Sequence, residues 1–188
     1  HLADADIDLD LAGNLARLTG AFGRAGDRLT WDIDAPALAR LNLGLAGRLT
    51  STGSVSGDPA ALQIEAMVAA SGLRLPGDIA ADTLDLELDL QAATSGAFNG
   101  RLDARGVTLA GQRLSVVSAD LQGRRNAHTL TLDARMPDWQ VTASLAGGLD
   151  EQQIWRGKLN QAAARGPWPM QLTAPATLLL SRERQQVS

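Results

Sequence analysis

The sequence has no cysteine, no tyrosine and only 3% aromatic residues. Without cysteine the redox compartment cannot be inferred, because disulfide-free periplasmic and cytosolic proteins have the same composition. No apolar run approaches the ~20 residues that a membrane-spanning helix needs. The net charge is −4, with acids and bases mixed along the chain. Because nucleic-acid binders carry a basic stripe, this distribution argues against a nucleic-acid partner.

Motifs for catalysis and metal binding are also missing. A catalytic triad needs a histidine beside a nucleophile, and we interpret the one internal histidine, His128, as a surface or turn residue. Residues 53–57 resemble a nucleophile elbow, but Val55 stands where the serine should be. The alternate aspartates of residues 4–10 are spaced like calcium ligands, but Leu15 replaces the closing glutamate. We therefore predict no catalytic residue, metal site, cofactor or enzyme activity.

What the sequence does contain is strand-like alternation. In Thr83–Ala92, TLDLELDLQA, leucines alternate with acidic residues, so a strand would have one leucine face and one acidic face. The same pattern appears in residues 4–11 and recurs along the chain. It yields roughly twelve strand candidates, with turn signals every ~8–15 residues. The pattern predicts an all-β, antiparallel-rich fold with few or no helices.

Several local signals refine this prediction. Pro36–Leu41 is compatible with one helical turn, after which leucines at alternate positions from Leu41 to Leu45 restart a strand. Ser51–Gly57 is rich in serine and glycine and is predicted to turn. Two adjacent apolar residues at 116–117 change the phase of the alternation, which indicates a bulge or a kink.

The apolar strand faces must be shielded from water, which requires the sheet to close or to curl. Twelve strands would make a sheet roughly 58 Å wide, and open sheets of that size curl or split. A sandwich, a closed barrel and a curled half-pipe are the possible closures. The few aromatic residues do not furnish the two girdles of an outer-membrane barrel, nor the large aromatics usual at a sandwich centre. We predict a curled sheet with an apolar groove, one domain over residues 1–181 and a disordered tail at 182–188.

An aliphatic groove suits alkyl chains. Burying one CH₂ contributes ~0.8 kcal/mol, so a chain of about sixteen carbons gains on the order of 13 kcal/mol gross. The alternative is that the same residues form a packed core. The residues predicted to line the groove or core are Ile7, Leu9, Leu11, Ile33, Leu43, Leu45, Ile64, Val68, Leu84, Leu86, Leu88, Leu90, Leu130, Leu132, Val141 and Leu145.

Short motifs occur in a fixed order along the chain. They are Pro36-x-Leu38-x-x-Leu41 before Gly47, Gly123 before His128-x-Leu130-x-Leu132, Trp139 before Leu145-Ala-Gly147, Trp155-x-Gly157-x-Leu159, and Trp168 before Pro175-Ala-x-Leu178. Over roughly residues 29–180 this ordered set resembles the TamB family. One departure is Arg124, which follows Gly123 where a threonine is expected and affects only local turn detail.

The resemblance implies a β-taco, a sheet folded lengthwise around an apolar groove. It also implies a segment of a longer periplasmic protein, anchored in the inner membrane by an N-terminal helix outside this sequence. The partners implied are phospholipid acyl chains, a TamA-like outer-membrane barrel and outer-membrane protein clients such as autotransporters. Three hypotheses follow: a passive lipid conduit, an assembly scaffold that works by β-augmentation, and a spacer with a packed interior.

Overall fold

The computed structural model describes residues 2–57, 61–181 and 185–187, which form a single antiparallel sheet of fourteen strands. Strand order follows the chain from β1 to β11 and continues with β13 and β14, while β12 pairs beside β13 on β11. The strands are β1 Leu2–Leu11, β2 Asn14–Phe22, β3 Arg28–Ala35, β4 Ala46–Ser56, β5 Gln63–Leu75, β6 Ile79–Gln91, β7 Phe98–Leu109, β8 Gln112–Arg124, β9 Ala127–Arg135, β10 Gln140–Leu149, β11 Trp155–Arg165, β12 Met170–Gln171, β13 Ala176–Leu180 and β14 Gln185–Val187.

The predicted fold class is confirmed: the chain is all-β, and its curled antiparallel sheet is not closed into a barrel. Tight turns explain this simple connectivity. The β1–β2 turn has positive φ at Ala12 (56°) and Gly13 (81°), and the β7–β8 turn has it at Ala110 (48°) and Gly111 (75°). Two-residue turns of this hand match the right-handed twist of the flanking strands and therefore join sequential neighbours.

The predicted helical turn is present as a 3₁₀ helix at Leu38–Leu41. Asn14 secures it, since its Nδ2 donates to the Ala37 carbonyl at 3.1 Å and its Oδ1 accepts from the Ala37 N–H at 3.0 Å. The predicted strand at 41–45 is wrong. Asn42 adopts a left-handed conformation (φ 56°) that ends the helical turn, Leu43 is 66% exposed, and β4 begins only at Ala46.

Other local predictions also need correction. Ser51–Gly57 is not mainly a turn, because residues through Ser56 belong to β4. No bulge occurs at 116–117, where the pairing register runs on unbroken to both neighbouring strands. Instead, the adjacent strand β7 has a left-handed glycine, Gly106 (φ 58°), beside this point. Residues 182–184 and 188 of the predicted tail lie outside the described residues, and 185–187 pair with β13.

Each strand contributes alternate residues to two opposite faces. One register row passes from Ile7 on β1 through Leu18, Trp31 and Gly53, and reaches Leu145 on β10. We call the face that carries this row, together with every second residue from it along each strand, the apolar face. The intervening rows form the polar face, where Arg17 contacts Asp6 at 3.6 Å and Asp8 at 3.5 Å. Asp6 and Asp8 therefore lie on the solvent-exposed polar face of β1, as alternate residues of a strand do.

Candidate functional site

All the predicted groove residues except Leu43 and Leu45 lie on the apolar face. The register pairs Val68 with Leu86 and Ile64 with Leu90, and comparable pairs continue across the sheet. Leu130 on β9 is opposite Leu145 on β10. Residues far apart in the sequence thus form one continuous aliphatic surface. Leu43 and Leu45 lie in the β3–β4 loop and do not belong to it.

The apolar face is only half covered. The four leucines at positions 84–90 of β6 are of intermediate exposure, although β6 lies well inside the sheet. Among the described residues no large side chain is fully buried, and the buried apolar residues other than Leu38 are all alanines. A sheet packed against a second layer would bury its central leucines, because protein interiors are close-packed. The described residues therefore leave this surface without a second layer.

Small and large residues alternate along one row of this face. In this row Ala70 lies opposite Leu84, which lies opposite Ala104, and both alanines are buried. Leu84 therefore has an alanine beside it on each neighbouring strand, and where large and small residues alternate in this way the surface is level. Another row places large residues side by side, because Leu130 lies opposite both Leu121 and Leu145.

Tryptophans lie flat on this surface because glycines make room for them. A Cβ atom at Gly53 would collide with Cζ2 of Trp31, its register partner, and would lie 2.7 Å from Cε2. Trp155 similarly covers Gly157, where a Cβ atom would lie 2.5 Å from Cη2. The Trp31 Nε1–H donates to Ser51 Oγ at 3.0 Å, which holds the ring in this orientation. These large side chains therefore do not rise into the space above the sheet.

Sequence reasoning missed several residues of the apolar face. Leu18 belongs to β2, which the alternation did not reveal because Leu15 on its polar face breaks the pattern. Leu102 and Leu121 lie on the same surface, in the rows of Leu86 and Leu88. Strict counting of every second residue from the predicted strands β7 and β8 would have found these two.

The expectation that His128 lies at the surface or in a turn is wrong, because it is only 7% exposed. Its Nε2 accepts a hydrogen bond from Trp155 Nε1–H at 2.8 Å, so the ring proton lies on Nδ1 and is donated to the Arg124 carbonyl at 3.0 Å. The ring centroid of Phe98 is 4.9 Å away. The histidine thus has a structural role on the apolar face.

Replacing His128 by alanine should lower the free energy of unfolding by about 2–3 kcal/mol, because the Trp155 N–H loses its acceptor within a packed cluster. Trp155→Phe removes the donor from the same bond. Chemical denaturation of both single variants and the double variant tests this, and we expect a coupling energy of about 1 kcal/mol. Additive effects of the two substitutions would contradict the assigned hydrogen bond.

A hollow of about 1220 Å³ lies on the polar side, between β4 and β9. Its border includes Glu87, Arg101 and Asp120, which share one polar register row, although Leu88 and Leu121 also border it. Arg101 Nε donates to Asp103 at 3.1 Å, and this hydrogen bond raises the pKa of Arg101. The hollow therefore has a mixed border of charged and apolar residues.

The described residues contain no cluster of three or more His, Cys, Asp or Glu side chains able to hold a metal ion. They also contain no helix of the length and hydropathy required to cross a membrane.

Comparison with known proteins identifies the family. A family model described as "TamB, N-terminal domain" matches residues 2–188. The chain belongs to the TamB family. No curated protein and no solved structure matches it. TamB proteins form a structural and transport family rather than an enzyme family. They are anchored in the inner membrane and span the periplasm. They are associated with lipid and with a TamA partner.

Proposed function

We propose that this TamB-family chain shields phospholipid acyl chains on its apolar face and carries phospholipid between the inner and outer membranes, in support of outer-membrane biogenesis. The half-covered apolar face is the observation that supports this proposal. The register row from Ile7 to Leu145 crosses the ten strands from β1 to β10, so this face covers on the order of 50 Å by 20 Å. Soluble monomers rarely expose contiguous apolar patches of more than a few hundred Å², so a surface of this size calls for an apolar partner.

An acyl chain meets that need without any specific contact. Each CH₂ transferred from water gains ~0.8 kcal/mol, whichever aliphatic side chains it contacts. The proposed lining is the predicted set without its loop residues: Ile7, Leu9, Leu11, Ile33, Ile64, Val68, Leu84, Leu86, Leu88, Leu90, Leu130, Leu132, Val141 and Leu145. We place the chain in the periplasm, within a parent protein that meets a TamA-like barrel.

Adjacent residues on opposite faces provide a direct test. A photoactivatable amino acid at Leu88 faces the apolar surface, whereas the same group at Glu87 faces the polar side. After reconstitution with phospholipid in detergent, we expect lipid adducts from position 88 and few from position 87, detected by mass spectrometry. Equal labelling at both positions, or no phospholipid in lipid extracts of the reconstituted protein, would refute acyl-chain binding on this face.

An assembly scaffold is a second candidate, favoured by the open edge of β1. Within the part of the chain that the structure describes, this strand pairs with β2 alone, and the other side of its backbone has the geometry to which β-augmentation adds a strand. An irregular register between Leu2 and Ala5 limits the regular edge to Ala5–Leu11. Crosslinking from this edge to outer-membrane proteins in cells, without lipid adducts from Leu88, would favour the scaffold.

A further inference from the structure

A line of irregular backbone crosses the sheet from β4 to β8. Inside the strands β5 and β7, Gly72 and Gly106 both have φ 58°, a left-handed conformation that residues other than glycine avoid within strands. On β4, Gly47 has φ 102° and lies where the register with β5 shifts, between Ala46 and Arg48. Left-handed glycines within strands mark bulges and bends. The sheet is therefore interrupted at the same level on several neighbouring strands.

The pairing between these described strands is interrupted along the same line. On β5 and β6 the residues on either side of Gly72 and Asp82 are paired, but these two are not. The same holds for Gly106 and Ser115 on β7 and β8. Between β6 and β7 the pairing is absent at Asp82 and at its neighbour Ala81. We call the row from Gly47 through Gly72, Asp82 and Gly106 to Ser115 the crease.

Beyond the crease lie the ends of two neighbouring hairpins, residues 73–81 of β5–β6 and residues 107–114 of β7–β8. We call these two segments the flap. The change of phase in the apolar alternation at residues 116–117 lies directly beside the crease. The flap is thus set off from the rest of the sheet both in its backbone and in its side-chain pattern. Its exposed large apolar side chains include Leu75, Ile79 and Leu109.

An ion pair spans the crease. Arg113 of the flap contacts Asp82 at 3.3 Å, so that the pair reaches from β8 to β6 across the intervening strand β7. It passes over Gly106, because a Cβ atom there would collide with the Asp82 carboxylate. The two side chains are 70% and 68% exposed, and both water and salt weaken an ion pair at that exposure. The pair therefore restrains the flap only weakly.

The opposite ends of the same strands are fastened more firmly. Arg125, in the β8–β9 turn, donates from Nη1 to the Ala92 carbonyl at 2.6 Å and from Nη2 to the Asp150 carbonyl at 3.4 Å. These partly buried bonds join the connections that follow β6, β8 and β10. Hydrogen bonds from a charged donor are stronger than those between neutral groups, and salt screens partly buried interactions less than exposed ones. The strands are therefore freer to move at the crease than at this end.

We propose that the flap swings about the crease relative to the rest of the sheet, and that the Asp82–Arg113 ion pair is the strap that restrains it. Gly47, Gly72 and Gly106 supply the backbone freedom, because glycine adopts left-handed and right-handed conformations about equally readily. A swing of the flap changes how much of its apolar surface faces water. The inference is independent of the proposed function, since no lipid takes part in it.

Because the chain has no native cysteine, paired spin labels provide a direct test. The flap pair joins Asp85→Cys to Gln112→Cys, and the control pair joins Asp85→Cys to Arg124→Cys at the opposite end; all three positions are exposed. Through β7, Gln112 is level with Ile79 and Arg124 is level with Gln91. Both pairs therefore have the same backbone separation, roughly 22 Å. Electron–electron double resonance measures the distribution of distances in each pair.

We expect a broader distance distribution for the flap pair than for the control pair. Asp82→Asn, Arg113→Gln and about 1 M NaCl should each raise the ratio of swung to strapped flap by about two- to fivefold, because an exposed ion pair contributes little, and the control pair should not change. Combining the two substitutions should add nothing to either one, and additive effects would overturn the strap. Equal widths for the two label pairs, or equal broadening of both in the variants, would overturn the hinged flap.

Discussion

Leu88→Arg is expected to reduce phospholipid retention by at least roughly tenfold, because a guanidinium replaces apolar surface where an acyl chain would lie. Leu88 is half-buried in the middle of the sheet, between Ala66 and Gly100 in the register, and a Cβ atom at Gly100 would be only 3.0 Å from Cδ2 of Leu88. The leucine therefore spreads over its small neighbours and forms part of the level surface. Lipid extraction and mass spectrometry of the reconstituted variant measure the loss, and Leu86→Arg should behave alike.

Met67→Arg is the matched control for this substitution. Met67 lies on the neighbouring strand, pairs with Glu87 on the polar face and is 63% exposed, so the new charge remains in water. We expect normal lipid retention and a melting temperature close to that of wild type. Thermal unfolding of both variants separates lost binding from lost folding. Equal loss of lipid in the two variants would show that charge, rather than the apolar face, governs retention.

Gly53→Ala should lower the free energy of unfolding by about 1–3 kcal/mol, since the added methyl group overpacks a site that is already filled. A Cβ atom there would collide with the Trp31 ring and with the backbone carbonyl of Glu65, and the carbonyl belongs to the strand ladder. Relief requires the indole to lift from the sheet, which breaks its hydrogen bond to Ser51. Denaturant unfolding followed by tryptophan fluorescence measures both effects.

Gly100→Ala tests whether the cost arises from close contact or from the loss of glycine itself. Gly100 occupies the same register row, but its nearest neighbour is the mobile end of Leu88 at 3.0 Å. That side chain can shift, and alanine restricts the unfolded chain more than glycine does, so we expect a change near zero. If Gly100→Ala destabilised the protein as much as Gly53→Ala, the packing of Trp31 on Gly53 would not be the cause.

Much of the fold could be predicted because alternation is a local property. Leucines at positions 84–90 of β6 point to one side whatever the strand pairs with, and the same holds for Ile7, Leu9 and Leu11 on β1. Fold class, two-faced strands and most of the candidate lining residues followed from that pattern. The lipid role of this face stays a prediction that the proposed experiments test.

Other parts could not be predicted because neighbouring strands impose them. In β4, Ser51 and Gly53 occupy positions on the apolar face, so the segment lacks the apolar alternation of a strand. The segment nevertheless forms a strand because β3 and β5 supply backbone hydrogen-bond partners on both of its sides. Gly53 fits there because the Trp31 ring occupies the space that a side chain at position 53 would need. The burial of His128 likewise depends on Phe98 and Trp155, which lie on other strands.

By itself the sequence determined that this chain would build strands with one apolar and one polar face, since successive side chains of an extended backbone must point in opposite directions. Only the tertiary structure decided which strands became neighbours and that an apolar row joins across ten of them, from β1 to β10. Those features depend on pairing register between residues distant in sequence, which the local side-chain pattern does not specify.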